Sequence, residues 1–463
     1  MDITFFLNRN LDIPLYQQLY QLFKKNMQDG HIQKGVKLPS KRLLAAQLSI
    51  SQTTVERTYE QLAAEGYIVS KPRSGWFADY DEIDLIHSEM ANNPSIKPVT
   101  REKENWIDFH YGNVDSVHFP FSAWRKSMVG SLDQYGQQLH RPGDILGELE
   151  LRTLIAENLY HSRGVHCRPE QVILGAGNPI LLQILCQVLR RDISIGYEDP
   201  GFPRSRKIFE MNSMKIIPIP VDEEGICMDG IRKENPSLVY VTPSHQFPLG
   251  TVMTFDRRRQ LLKWAAENQS FIIEDDYDGE YRYSGQPIPS LQGLDQHERV
   301  IFMGTFSKSL LPSLRVSYMV LPSSLLEKGR EITSLYKQTV SCHVQLTLVE
   351  FIKKGEWQKH INKMRKLYQR KREILLETLQ SEMGEQVKVR GGDTGLHIML
   401  DVNSHFNEKE LIEKAKEQGV KIYPASPFYT KQPPGNTVFI GFAGVSEADI
   451  RAGIKKLKAA WMN

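Results

Sequence analysis

Several short segments carry side chains whose types and spacing could do chemistry. In GTFSKSLLPSLR, Lys308 follows the β-branched run VIFM inside a Ser/Thr-rich turn, with Arg315 seven residues beyond. A lysine so placed could form an imine with an aldehyde cofactor. The hydroxyls of Thr305 and Ser307 and the Arg315 guanidinium would suit a phosphate dianion, because arginine donates paired, charge-assisted hydrogen bonds. Taken alone this is a weak signal, and a solvated surface lysine is the commoner reading of it. SFIIEDDYDGEYRY ends a buried strand in consecutive carboxylates. Asp275 there could pair with a protonated pyridine nitrogen and Tyr277 could hydrogen-bond a ring's phenolic oxygen. The competing reading is an acidic loop or a magnesium site, although no GxxxxGK[ST] phosphate loop accompanies it.

In VILGAGNPILLQILCQVL, the turn Gly175, Ala176, Gly177, Asn178 joins a strand to an apolar helix. Backbone amides at a helix start make a natural phosphate cradle, and the plain alternative is a tight connection. YEDPGFPR offers Phe202 as a ring-stacking face and Arg204 as an anion contact for a ligand. VTPSHQFPLG places His245 after another strand, where a core or loop histidine is the ordinary reading.

The elements that must position these groups follow from the pattern around them. From residue 106 to 463, helical periodicities alternate with short runs such as QVILGAG, SLVYVTP, SFIIEDD and RVIFMGT. That alternation predicts an α/β domain with a mainly parallel sheet. Residues 78–105 are acidic and polar and read as a linker. At 463 residues, with 40% hydrophobic and 24% charged residues, two or three soluble domains are expected. The net charge is only +3, so any nucleic-acid binding must come from a local patch. Four scattered cysteines lack CxxC or Cys/His spacing, which argues against disulfides and zinc and for a reducing compartment. No apolar run is long enough to span a bilayer and the first residues lack a signal layout, so a cytoplasmic protein is expected.

Residues 1–77 carry three amphipathic helical patterns. Leu15, Leu19, Leu22 and Phe23 share one face of the first. Ser40 is a credible N-cap for the second. The third, TTVERTYEQLAAEG, turns Val55, Tyr59 and Leu62 inward and projects Gln52, Thr53, Thr54 and Arg57, which could reach base edges. YIVSKPRSGWF then alternates apolar and polar residues around a Pro/Gly tip, which predicts a hairpin carrying Lys71 and Arg73. With Lys37, Lys41, Arg42 and Arg57, these cations would converge on phosphates and release counterions. A three-helix interaction module with solvated basic residues is the bland alternative.

The string LPSKRLLAAQLSISQTTVERTYEQLAAEGYIVSKPRSGWF, with its PSxR opening and LxxEG close, resembles the winged helix-turn-helix (α+β) of the GntR regulator family. The resemblance implies that Arg42 and the stretch from Gln52 to Arg57 contact a double-stranded DNA operator, with Gly75 where the wing nears the minor groove. The order of the later segments is similar to that of the fold-type I pyridoxal-phosphate enzymes, as in the aminotransferases. Together the two parts resemble the MocR/GabR family, through HYGNVDSVHFPFSAW, GELELR, RGVHCRPEQVILGAG, EDPGFPR, TPSHQFPLG, IIEDDYDGEYRY, GTFSKSLLPSLR and GLHIML.

That family implies Lys308 as the internal aldimine of pyridoxal 5'-phosphate (PLP), Asp275 on the pyridine nitrogen and Tyr277 on the ring hydroxyl. Arg315, Ser307, Thr305 and the Gly175 to Asn178 turn would hold the phosphate. His245 falls where aminotransferases place an asparagine near the ring oxygen, and Phe202 where the family has a tyrosine. Phe439 stands where carboxylate-binding members can place an arginine. Pro142 stands where an aromatic reaches the partner's phosphate, with Tyr135 as a candidate substitute. The implied protein is a transcription regulator that senses an amine, an amino acid or PLP itself, as a head-to-tail homodimer. The alternative is a working aminotransferase with a DNA-binding appendage.

Overall fold

The computed structural model describes residues 7–8, 13–72, 74–80, 106–189, 193–283, 289–431, 433 and 435–462. The chain divides into two compact units, residues 1–104 and 105–463.

In the first unit, α1 (Leu15–Gln28), α2 (Lys41–Leu48) and α3 (Gln52–Ala64) precede a hairpin of β1 (Ile68–Lys71) and β2 (Gly75–Ala78). Serine caps start the second and third helices: Ser40 Oγ accepts from the Leu43 amide at 3.2 Å and Ser51 Oγ from that of Thr54 at 3.1 Å. Each cap satisfies an amide that the helix itself leaves without a partner. Leu19, Phe23, Leu44, Val55, Tyr59 and Leu62 meet in one core. The Tyr59 hydroxyl donates to the Pro39 carbonyl at 2.8 Å, pinning α3 to the chain just ahead of α2. The packed unit runs past residue 77, where the linker was expected to begin. Ala78 ends β2 and Tyr80 is buried, its hydroxyl donating to the Ile32 carbonyl at 2.7 Å. One tyrosine in an acidic stretch leaves no periodic signal, which is why the sequence does not show this. Arg73 on the expected wing, and residues 81–105 of the expected linker, lie outside the described residues.

The second unit begins with β3 (Ile107–Asp108) and continues through β4 (Val172–Gly175), β5 (Ser194–Asp199), β6 (Lys215–Asp222), β7 (Gly225–Ile226), β8 (Leu238–Val241), β9 (Phe271–Asp276), β10 (Val300–Thr305) and β11 (Ser317–Val320). Eight of these form one sheet in the order β4-β11-β10-β9-β8-β5-β6-β7. Neighbours from β10 to β6 are parallel, whereas β11 runs against both β10 and β4, and β7 against β6. Strands such as VILG and LVYV are buried along their whole length, as expected when helices cover both faces of a parallel sheet. Register lines up the strand ends: Asp276 opposes Gly304, Thr305 opposes Ser317, and Ser317 opposes Gly175.

A second sheet, absent from the sequence expectation, is antiparallel. It contains β12 (Val387–Arg390), β13 (His397–Val402), β15 (Tyr423–Pro424) and β16 (Thr437–Gly441) in the order β12-β13-β16-β15, while β14 (Val420–Lys421) pairs with β3. The helices Glu356–Met383 and Glu447–Met462 supply much of its core. Among the described residues no helix is long and apolar enough to cross a membrane, and the four cysteines are unpaired.

Candidate functional site

The carboxyl ends of β4, β5, β8, β9 and β10 open on a cavity of about 290 Å³. Crevices at the carboxyl edge of such sheets are where ligands bind. Because β11 is reversed, its first residue, Ser317, and the preceding Arg315 reach the same edge. Lys308, Asp275, Tyr277, Thr305, Ser307 and Arg315 all line the cavity, so one site gathers the residues that two separate segments offered. Asn178, Phe202 and Arg204 line it too, Arg204 being exposed.

The Lys308 Nζ donates to the Tyr111 carbonyl at 2.7 Å. Burial pulls its pKa down to about 8 against the opposing pull of the Asp278 charge, so a sizeable neutral fraction exists near neutral pH. Burial pushes Asp275 up to about 6, opposed by hydrogen bonds from Tyr240 and Asn178. The Asn178 Nδ2 donates to Asp275 Oδ1 at 3.0 Å and the Tyr240 hydroxyl to Oδ2. The Tyr277 hydroxyl lies 2.9 Å from His245 Nδ1.

The glycine turn is built differently from the expected cradle. The Ala176 amide donates to Thr339 Oγ1 at 3.0 Å and the Gly177 amide to the Gly175 carbonyl at 2.7 Å, so both are already engaged. Of Gly175, Ala176, Gly177 and Asn178, only Asn178 faces the cavity. The role of Gly177 is steric. It has φ +96°, and a Cβ there would lie 2.1 Å from Arg315 Nη2. Arg315 itself holds a left-handed φ of 52°, a strained choice for a non-glycine residue that recurs at ligand sites. The Thr305 hydroxyl is also occupied, donating to the Val316 carbonyl at 3.3 Å and accepting from Ser317 Oγ at 2.8 Å. It fixes the turn, leaving the Ser307 hydroxyl, buried and without a partner, as the free donor.

Of the remaining positions, His245 departs from its expected place, whereas Tyr135 and Phe439 are found in the packed interior. His245 does not line the cavity; its ring lies behind Tyr277, and Phe247 lines the wall instead. Tyr135 is buried, with its hydroxyl accepting from Gln134 Nε2 at 2.9 Å, and it has no place in the cavity of its own chain. Phe439 is buried among Tyr111, His397 and Phe428 at centroid separations of 4.9, 4.6 and 5.0 Å, which leaves no room for a charged group. Phe202 packs edge-on against Phe247 at 4.6 Å. Sequence reasoning missed His110, Tyr111, Phe247 and His397, which also line the cavity. All four fall within segments quoted as motifs, HYGNVDSVHFPFSAW, TPSHQFPLG and GLHIML, but their order alone assigned none of these side chains to the cavity.

On the first unit, Gln52, Thr53 and Arg57 are exposed on α3 and Arg42 on α2. Thr54 is partly committed to the cap, its hydroxyl lying 2.8 Å from Ser51 Oγ. Lys71 is exposed on β1 with its Nζ 4.8 Å from the Phe77 ring centroid, and Gly75 opens β2 with φ +104°. Lys41 is ion-paired with Glu56, which draws it away from the expected phosphate set.

Comparison with known proteins agrees with both halves. Residues 104–457 match the family described as aminotransferase class I and II, and residues 15–78 match the bacterial regulatory proteins of the gntR family. The chain is 75% identical over 461 residues to the uncharacterized HTH-type transcriptional regulator YdeL of Bacillus subtilis, covering 100% of each. It is 33% identical over 470 residues to the probable rhizopine catabolism regulatory protein MocR of Rhizobium meliloti, covering 98% of this chain and 95% of that one. A crystal structure of Pyrococcus horikoshii kynurenine aminotransferase in complex with PMP superposes with a TM-score of 0.71 at 26% identity, covering 88% of this chain and 97% of that one. With a gntR-family unit leading an aminotransferase class I and II unit, and a MocR relative matched along nearly its whole length, the chain belongs to the MocR-type HTH transcriptional regulators.

Proposed function

We propose that this regulator holds PLP at Lys308 and that an amine or amino acid exchanging at that lysine changes how the winged units grip their operator. The observation that carries the reading is a half-buried lysine sharing one cavity with Asp275, Tyr277 and Arg315. The residues fit such a cofactor. Ser307 Oγ and Asn178 Oδ1 are buried polar atoms without partners, as expected of a site built for an incoming polar group. The Gly177 turn is shaped so that the Arg315 guanidinium can lie against it.

When bound, PLP supplies an aldehyde that condenses with amines and a ring that withdraws electrons. Lys308 provides the attachment point, and its lowered pKa provides the neutral amine that attachment requires. Asp275 would face the ring nitrogen, Tyr277 the ring oxygen and Phe202 the ring face, while Arg315, the Ser307 hydroxyl and the Asn178 backbone amide would hold the phosphate; the donor of the Asn178 side chain is spent on Asp275. Arg204, exposed at the cavity and close enough for its charge to oppose the rise that burial imposes on the Tyr111 pKa, is the cation available to a ligand's carboxylate. Ligand binding shifts DNA affinity only by the difference in its affinity for two arrangements of the protein. A homodimer provides those arrangements, and the exposure of Phe121, Val129 and Leu132 on the helix Phe121–Tyr135 supports burial against a second copy. A role on DNA supports a cytoplasmic location. Since the same groups serve transamination, slow turnover would be compatible with this role.

The test is direct. Wild-type protein with PLP should absorb in the near ultraviolet or visible and be labelled at Lys308 by borohydride; Lys308→Ala should lose both, together with any effect of amines on operator affinity. Retention of the band and of the label elsewhere in Lys308→Ala would overturn the assignment. Adding PLP alone, then an amine, separates sensing of the cofactor from sensing of the amine. Arg42→Ala and Arg57→Ala should each weaken specific operator binding by about tenfold, the loss of one good base or phosphate contact, without altering the absorption. Unchanged operator affinity in both would remove α2 and α3 from the DNA-reading face.

A further inference from the structure

Behind Tyr277 lies a chain of buried polar groups that the cofactor site does not by itself explain. His245 Nδ1 is 2.9 and 3.1 Å from the two carboxylate oxygens of Asp278, and 2.9 Å from the Tyr277 hydroxyl. The His245 and Asp278 side chains are 1% and 2% exposed. A carboxylate only accepts, so Nδ1 carries the proton and points it at Asp278. The Tyr277 hydroxyl therefore cannot donate to Nδ1. Its proton goes to the His245 carbonyl, 3.1 Å away, and is free to turn toward an anionic oxygen placed in the cavity.

The packing guards this arrangement. Gly395 has φ +73°, and a Cβ there would lie 1.8 Å from His245 Cε1 and 2.7 Å from an Asp278 carboxylate oxygen. The His397 ring covers the other side at 4.4 Å. The titratable groups around Tyr277 and His245 are Asp275 and Asp276 from β9, Glu198 from β5, Lys308 after β10 and His397 from β13. Asp278 is thus wired to the site in two ways: through His245 to Tyr277, and through its field to Lys308.

We propose that Asp278 and His245 are positioning residues that keep the Tyr277 hydroxyl available as a donor to the cofactor's ring oxygen, and through it lower the proton affinity of the nitrogen at Lys308. This rests on the reading of Lys308 as the PLP attachment point. A donor on the ring oxygen stabilises negative charge there and so eases loss of the neighbouring nitrogen's proton. Replacing an orienting carboxylate by an amide allows the imidazole to take the opposite tautomer. In Asp278→Asn, Nδ1 would then become an acceptor and capture the tyrosine proton, taking it away from the ring oxygen.

The measurement is the midpoint of the pH-dependent absorption change in PLP-loaded protein. Asp278→Asn should raise it by about one unit, in the same sense as Tyr277→Phe, and the double variant should go no further than Tyr277→Phe alone. If Asp278 acted only as a nearby negative charge, its removal would lower the midpoint, so the sign decides between the two routes. A lowered or unmoved midpoint, or full additivity in the double variant, overturns the proposal. Should Asp278→Asn fail to fold, Asp278→Ala, which likewise frees Nδ1 to accept the tyrosine proton, is read in its place and must move the midpoint upward. Wild-type protein without any Lys308-borne absorption would instead mean failure of the PLP reading itself.

Discussion

Gly177→Ala protein is expected to emerge from purification colourless and to take up PLP at least about 100-fold more weakly than wild type, a loss of roughly 2.7 kcal/mol. Two effects act together. The added Cβ would stand 2.1 Å from Arg315 Nη2 and 2.7 Å from its Cζ, so the guanidinium must leave its place. The backbone at φ +96° is also one that L side chains rarely adopt, so the turn itself would be strained. The charged, planar contact to phosphate is the strongest single anion contact the site can offer, which is why displacing it outweighs the remaining hydroxyl and amide donors. An absorbance titration with PLP measures the effect, and Arg315→Ala should reproduce it. Uptake within about threefold of wild type, a difference below 1 kcal/mol, would show that Arg315 is not the phosphate anchor.

The second large effect concerns stability. The Lys371 ammonium donates at 2.8 Å both to Asp115 Oδ2 and to the Ala443 carbonyl, and the two side chains are 4% and 7% exposed. Removing one partner of such a pair strands the other charge, so Lys371→Ala should cost about 3–5 kcal/mol in urea or thermal unfolding. Burial alone would raise the Asp115 pKa, but hydrogen bonds from Lys371 and His118 outweigh it and hold the carboxyl at about 2. With the folded value below the unfolded one, near 4, this stabilisation is present above pH 4 and fades as pH falls from about 4 toward 2. The difference between wild type and Lys371→Ala should therefore be full at pH 7 and shrink at pH 3. A gap that stays constant across that range would show that packing, and not the carboxylate, is what the lysine supports. Asp115 also follows Tyr111 by four residues, so the same variant should loosen the carbonyl that holds Lys308.

Much of the site was legible because each reactive residue follows directly on a β-branched run, and a parallel sheet brings such strand ends to one edge. Lys308 and Asp275 were found in this way, and Arg315 by its place seven residues beyond Lys308. What was not legible depends on which strands become neighbours. Tyr240 reaches Asp275 because β8 lies beside β9, a pairing that no local pattern encodes. Asp278 and His245 meet because two loops, each just past a strand end, turn toward one another. The glycine turn misled for a different reason. A Gly-Ala-Gly string shows that backbone must approach something closely, but not whether its amides are free, and here Thr339 and Gly175 already use two of them. The second sheet was missed because its strands are only two to six residues long and lie between the long helices Glu356–Met383 and Glu447–Met462, whose periodicity dominates that part of the sequence.

The reversed strand β11 has one more consequence. Thr305 and Ser317 close the mouth of a loop that contains both Lys308 and Arg315, and their hydroxyls are joined at 2.8 Å. The anchor for an aldehyde and the clamp for an anion are therefore mounted on a single stiff bracket. Whatever rearranges on arrival of a guest must do so in the facing wall of Tyr111, Phe247 and His397, while the distance between anchor and clamp stays constant.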